Sequence, residues 1–305
     1  MKKTFEEICK MPQEQLKVYA ANRLRETHRS VAMEDGFVYA QGVYPVLLVA
    51  HMDTVHKKLP KNIVYKGNKI SSPNGIGGDD RCGVFMILEI VKKYNCSVLF
   101  CEDEEMGCVG AEKFIRTNLA ESLKRQFNYI VEFDRRGEND AVFYECDNPD
   151  FEEFVTKEFF KTAWGSFTDI STVAPFLECA AVNLSCGYYN AHTKDEYVMW
   201  NQMERVIQEA MKLLERTEDR DKFEYIETKY DYAYGYNYKY DNPYKDEYGD
   251  GYYIFTVDNL MEDYSYYETY ASSLEEAVGY FCTEYSNRCF NDIVDVYYEP
   301  YGLWK

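Results

Sequence analysis

Along the first 220 residues, short wholly apolar runs take turns with longer segments in which apolar positions recur every three or four residues. The runs PVLLVA (45–50), CSVLFC (96–101), FNYIVEF (127–133) and CAAVNLS (179–185) show little alternation, which predicts strands covered on both faces. GFVYAQG (36–42) and NIVYKGNKISS (62–72) read as antiparallel strands or hairpin pieces. Helical spacing marks RCGVFMILEIVKKYN (81–95), GAEKFIRTNLAESLKRQ (110–126), DFEEFVTKEFFKTA (150–163) and the closing NQMERVIQEAMKLLERTEDR (201–220). The opening MKKTFEEICKMPQEQLKVYAANRL reads as an amphipathic helix. The alternation predicts an α/β three-layer sandwich, with a mixed, largely parallel central sheet flanked by helices.

The pattern changes near residue 223. From Phe223 to the end, 17 acidic residues face 5 basic ones, and the segment holds 20 of the 30 tyrosines. KYDYAYGYNYKYDNPYKDEYGDG has no core-forming spacing and reads as a linker or surface strap. Beyond it, YYIFTVD, YSYYETYAS and IVDVYYE are strand-like, and SSLEEAVGYFCTEYSN (272–287) is helical, with Ser273 and Glu276 in a capping-box relation. The expected organisation is a main domain over 1–222, a connecting strap over 223–250 and a small α+β appendage over 251–305.

Charge narrows the partners. A formal charge of −19 opposes nucleic acid as partner, because binding a polyanion needs clustered Lys and Arg. No run approaches the roughly 18 apolar residues of a membrane span, and the two early lysines have no signal-peptide core behind them. These features point to a soluble, cytoplasmic protein with no membrane contact. The ten cysteines lie scattered through apolar segments, without a C-x-x-C pair, and read as buried free thiols.

Chemistry-bearing residues gather where the apolar runs stop. His51 and Asp53 follow PVLLVA, Asp103, Glu104 and Glu105 follow CSVLFC, Asp134 follows FNYIVEF, and His192 lies a short loop beyond CAAVNLS. Ligands of open α/β sheets bind at the carboxyl ends of the strands. A fifth stretch, NGIGGDDRCG, presents Asp79 and Asp80 at the start of a helix; it lacks both a phosphate-loop lysine and a complete G-x-G-x-x-G. A strand-end aspartate alone is usually a cap, and EDEE alone a solvated loop. The joint order H-x-D, D-D, E-E-x-G, D, H makes the case, with two of the four histidines inside it. His28 and His56 read as ordinary structural residues.

AHMDTV, GIGGDDRCGV, EDEEMGCVGA, VEFDRRG and YYNAHTKDEYV resemble, in order and approximate spacing, the co-catalytic di-zinc peptidases: zinc aminopeptidases, glutamate carboxypeptidases and peptidase T-like tripeptidases. The resemblance covers about residues 35–215 and leaves out the tyrosine-rich tail. It implies that His51, Asp79 and Asp134 bind one metal and Glu105 and His192 the other, with Asp79 bridging. It further implies a cis peptide after Asp79, Asp53 holding the free ring nitrogen of His51, and Glu104 as general base. Imidazole and carboxylate ligands without thiolate suit two divalent ions, zinc first, with manganese or cobalt as options.

Some relatives carry a lid between the last two ligands or a domain between the first two; the separations here, 58 and 28 positions, leave room for neither. The resemblance is therefore to the compact form. The loop GSFTDISTVAPF resembles a pocket segment of aminopeptidases, where Asp169 would meet a substrate ammonium or act as a structural cap. Arg135 and Arg136 would attract a substrate carboxylate or form surface ion pairs. The leading expectation is a metallopeptidase acting as an aminopeptidase on short peptides. A deacylase of N-acyl amino acids or similar small amides is the enzymatic alternative; a non-catalytic scaffold using the acidic tail is the other. Oligomeric state stays open.

Overall fold

The computed structural model describes residues 1–163, 165, 167–217, 222–228, 251–258, 264–271, 277 and 293–300. They divide into two compact units, one of residues 1–162 with 168–228, the other within 163–167 and 229–305. No helix among the described residues is long and apolar enough to cross a membrane.

The first unit is built on an eight-stranded mixed sheet. Its strands are β1 (Ser30–Glu34), β2 (Phe37–Gln41), β3 (Tyr44–His51), β6 (Cys96–Cys101), β7 (Tyr129–Arg135), β8 (Asp140–Val142), β9 (Lys161–Thr162) and β10 (Ala181–Ser185). They lie in the order β1-β2-β6-β3-β7-β10-β8-β9. The central pairs β6–β3, β3–β7 and β7–β10 are parallel, as is β8–β9, and the remaining pairs are antiparallel. A second small sheet contains the hairpin β4 (Val64–Lys66) and β5 (Lys69–Ser71) with β11 (Tyr188–Tyr189) and β12 (Tyr197–Met199).

Two hydrophobic clusters explain why the central runs lack alternation. On β3, Val46, Leu48 and Ala50 enter one cluster while Leu47 and Val49 enter the other; on β6, Val98 and Phe100 part in the same way from Leu99 and Cys101. Successive side chains leave opposite faces of a strand, so two cores demand apolar residues at every position. One cluster includes residues of α1 (Lys2–Cys9), α2 (Gln13–Leu24), α3 (Gly78–Ile90), α6 (Pro149–Thr156) and α8 (Trp200–Glu215). The opposite one includes α4 (Val109–Ile115), α5 (Asn118–Leu123) and α7 (Asp169–Leu177). The result is the three-layer α/β arrangement expected from the pattern. The eight described cysteines are all buried and free.

Four helical expectations need correction; the one over 150–163 ends as α6 at Thr156, and its Lys161–Thr162 form β9 instead. The opening helix is two, because Pro12 has no N–H to continue α1 and instead precedes α2. The segment 110–126 also splits: the Thr117 hydroxyl accepts the Ala120 N–H at 3.1 Å and starts α5 afresh. The loop expected around Asp169 is largely helix. There the Thr168 N–H donates to Ser171 Oγ at 3.0 Å and begins α7, which carries Pro175 within it.

The second unit contributes β13 (Gly251–Asp258), β14 (Tyr264–Ala271) and β15 (Ile293–Pro300), an antiparallel sheet ordered β14-β13-β15. Of the strap expected over 223–250, residues 223–228 belong to the first unit, where the Phe223 N–H donates to the Asn128 carbonyl and the Phe223 carbonyl accepts the Ala180 N–H; residues 229–250 and the capping pair Ser273 and Glu276 lie outside the described residues.

Candidate metal centre

Because β6, β3, β7 and β10 run parallel, their carboxyl ends open on one edge, and that edge collects the polar residues of five stretches. His51 is the last residue of β3, paired with Cys101 at the end of β6. After β6 the chain turns through Asp103 at φ 56° into a short 3-10 turn that carries Glu104 and Glu105. Asp134 sits near the end of β7, held in register by Asn183 of β10: Asn183 Oδ1 accepts the Asp134 N–H at 2.9 Å and Nδ2 donates to its carbonyl at 3.1 Å. His192 follows β11 at φ 63°. Asp79 and Asp80 have non-helical backbone angles at the start of α3, and the peptide between them is cis.

These side chains converge. His51 Nε2 lies 3.1 Å from Asp79 Oδ1 and 3.5 Å from Asp134 Oδ1. His192 Nε2 lies 3.2 Å from Asp79 Oδ2 and 3.0 Å from Glu105 Oε1. Asp79 therefore turns one oxygen to each histidine. Glu104 Oε2 stands 4.0 Å from His51 Nε2, at the edge of the first group. Asp53 organises the surroundings: it accepts from His51 Nδ1 at 2.9 Å and from the backbone N–H groups of Glu104 and Glu105 at 3.0 Å each. With Nδ1 so engaged, His51 presents Nε2 to the site.

Charge explains what the arrangement requires. Burial disfavours an ionised His51, yet Asp134, Asp53 and Asp79 hold its pKa well above the usual imidazole value. Asp79 and Glu105 push His192 up to about 11. Burial, with Asp79 beside it, raises Asp134 to about 7, and burial likewise raises Glu104 well above the ordinary carboxylate range. Carboxylates outnumber imidazoles, so the pocket calls for added positive charge. Glu105 Oε1 is telling: it is buried and 3.0 Å from His192 Nε2, yet has no aligned hydrogen bond. The sets His51, Asp79, Asp134 and Asp79, Glu105, His192 each place three ligand atoms within 4.8 Å of one another, and His51, Glu104, Glu105 form a third such group. The donor chemistry fits divalent cations.

Other candidates fall elsewhere. Arg135 pairs with Asp140 through Nε at 3.2 Å, the surface-pair alternative. Asp169 is fully buried, with the thiols of Cys101 and Cys108 beside its carboxylate. His28 is structural, bonded through Nε2 to the Cys96 carbonyl at 2.8 Å. His56, set aside with it, instead bonds Glu196 Oε2 at 2.6 Å. Glu196 also accepts the N–H groups of Gly77 and Asp79, at 2.7 and 3.1 Å, and so ties the His192 loop to the Asp79 loop. Glu196, Thr168 and Asn183 were not singled out in the sequence, since their partners lie far away along the chain.

Residues 40–181 match the model of Peptidase family M28. Over this stretch the chain is similar to M28 peptidases. The match is consistent with the co-catalytic zinc peptidase superfamily that the motifs resemble, and it supports peptide hydrolysis as the class of activity. No curated protein sequence matches the chain. Among solved structures, the chain is similar to the aminopeptidase PepT of Bacillus cereus ATCC 10987, at 12% identity and a TM-score of 0.57 over 70% of this chain and 96% of that one. A tripeptidase from Staphylococcus aureus subsp. aureus Mu50 gives 12% and 0.56 over 70% and 96%. Aminopeptidase APDkam598 from the archaeon Desulfurococcus kamchatkensis gives 14% and 0.54 over 70% and 94%. At such identities the likeness speaks for the fold.

Proposed function

We propose that the chain is a di-metal aminopeptidase acting on short peptides, with zinc as the first choice of ion. The observation that carries this reading is the split of Asp79, whose two oxygens lie 3.1 and 3.2 Å from the Nε2 atoms of two different histidines. In this assignment His51, Asp79 and Asp134 would hold one ion, and Glu105 and His192 the other, with Asp79 facing both. A pair of divalent ions so held supplies Lewis-acid polarisation of a carbonyl and acidifies a water.

The chain's own groups do the rest. Asp53 fixes the tautomer of His51 and the turn of Glu104, so both arrive pre-oriented. Glu104 is the general base: it takes a proton from the attacking water and passes it to the leaving amine. Its backbone position beside Glu105 lets it face the same space while Glu105 serves as ligand. Residues 1–228 carry this chemistry, and 251–305 form an appendage dispensable for it. Buried unpaired thiols suit a reducing compartment, in keeping with a cytoplasmic enzyme.

The test is hydrolysis of aminoacyl anilides and short peptides, each offered with a free and an acetylated amine, after metal stripping and add-back of zinc, manganese or cobalt. Metal-dependent cleavage of the free-amine series is expected. Preference for the acetylated series would transfer the site to deacylation, and inactivity of metal-loaded protein on both would remove the hydrolase reading.

A further inference from the structure

Asp134 is dressed differently on its two oxygens. Oδ1 faces His51 Nε2 at 3.5 Å and takes a long bond from the Tyr188 hydroxyl at 3.3 Å. Oδ2 points the other way and accepts from Thr168 Oγ1 at 3.0 Å. Thr168 itself is buried, at 1% exposure, so water does not compete for this bond. Glu132, two residues earlier on β7, also faces the Thr168 hydroxyl, but the aligned bond of that hydroxyl is the one at 3.0 Å to Asp134.

We infer that Thr168 is a positioning residue for Asp134: its hydroxyl pins Oδ2 and thereby commits Oδ1, alone, to the cation beside His51. The physical need is plain. The terminal torsion of an aspartate is broad and nearly two-fold, so without an anchor the carboxylate swings between one- and two-oxygen presentation. Asn183 fixes only the Asp134 backbone, and the Tyr188 bond reaches the same oxygen that faces His51. Among the described residues, only Thr168 donates an aligned bond to the far oxygen. A donor there also draws charge from the carboxylate and keeps the bound ion a stronger Lewis acid.

The donor role separates from helix capping. Thr168 is the N-cap of α7, and its backbone N–H is received by Ser171 Oγ at 3.0 Å. Capping draws on oxygen lone pairs and on Ser171; positioning draws on the hydroxyl hydrogen. Serine at 168 retains both functions, valine at 168 keeps the volume and loses both, and alanine at 171 weakens the cap without touching Asp134.

The inference rests on the reading of His51, Asp79 and Asp134 as ligands of one ion. Its test is a zinc titration of full-length, metal-stripped protein against a competing chromophoric chelator, with thermal unfolding of the metal-free forms alongside. Thr168→Val should weaken one of the two binding events by about 10–100-fold, the range for loss of a partner to a ligand, and leave the other nearly unchanged. Thr168→Ser should restore wild-type affinity, and Ser171→Ala should lower the unfolding temperature with both affinities intact. Should the valine variant not fold, Thr168→Ala is titrated in its place with the same expectation. Wild-type affinities in the hydroxyl-less variant, or an equal loss in Ser171→Ala, overturn the inference while leaving the ligand assignment in force. A wild-type protein that takes up no zinc overturns both.

Discussion

Asp53 accepts a hydrogen bond from His51 Nδ1 at 2.9 Å, and the same carboxylate receives the backbone N–H groups of Glu104 and Glu105. One buried side chain thus sets an imidazole at the end of β3 and the turn that follows β6. Asparagine in its place offers one acceptor oxygen and turns an NH2 toward a donor. Asp53→Asn is therefore expected to lose about 10–100-fold in metal affinity, with hydrolysis falling in parallel. Zinc titration and peptide turnover measured on the same preparation check this, and unchanged affinity would mean that the turn is held by other contacts.

Gly83 is where α3 presses on β7. A Cβ built on it meets the Phe133 carbonyl oxygen at 2.0 Å and Asp80 Oδ2 at 2.3 Å. Backbone cannot yield as a side-chain tip does, so Gly83→Ala must shift the helix that begins just after Asp79 relative to the strand that carries Asp134. A destabilisation of about 1–3 kcal/mol is expected, the usual cost of overpacking, together with weaker metal binding. Urea unfolding reads the first effect. Wild-type stability would show that the helix can move away freely.

The sequence was most legible where local pattern and long-range role coincide. PVLLVA and CSVLFC announced doubly buried strands because each lies between two cores, and the residues just beyond them meet at one edge because the strands are parallel. The H-x-D spacing also held the Asp53–His51 contact in two residues of chain. Helix α7 was less legible: Thr, Ser and Pro look like loop formers, and what secures the helix is the Thr168–Ser171 start and its burial against the second core. Glu196 and Thr168 left no local mark at all. Their partners are 117 and 34 positions away, so only the folded chain assigns them.

The crowding of carboxylates around Asp79, Asp134 and Glu104 should make the fold itself respond to cations. With no ion, burial forces protonation upward on Asp134 and Glu104, a sign of unfavourable charge. Ligand that binds only the folded state stabilises it by mass action, about 2.7 kcal/mol at a hundredfold excess over Kd. For a unit of this size that is about 5–10 °C in unfolding temperature. Scanning calorimetry of stripped protein with and without zinc measures it. Identical unfolding temperatures would deny the site any divalent ion.

Glu196 offers a stability test separate from the metal. It is fully buried and accepts from His56, Gly77 and Asp79, which gives both oxygens partners from two other loops. Glu196→Ala leaves those three donors without an acceptor, each buried N–H costing about 1–3 kcal/mol when unsatisfied. We expect a loss of about 3–5 kcal/mol, with Glu196→Gln intermediate because its amide supplies a single acceptor oxygen. Denaturant midpoints for the two variants rank them. A near-neutral alanine variant would show that water replaces the carboxylate readily.

Glu104 presents the sharpest choice in the site. Its Oε2 is 4.0 Å from His51 Nε2, farther than Asp79 or Asp134, yet with His51 and Glu105 it also falls within one cluster of ligand atoms. A base and a ligand differ in what their removal does. Glutamine keeps the size and one acceptor oxygen but takes no proton at neutral pH. If Glu104 is the base, Glu104→Gln lowers kcat by about 10²–10⁴ while two ions remain bound. If it is a ligand, metal content falls along with rate. Elemental analysis and single-turnover hydrolysis of one peptide by one preparation separate the two, and a variant that keeps both its metal and its rate would leave proton transfer to another group.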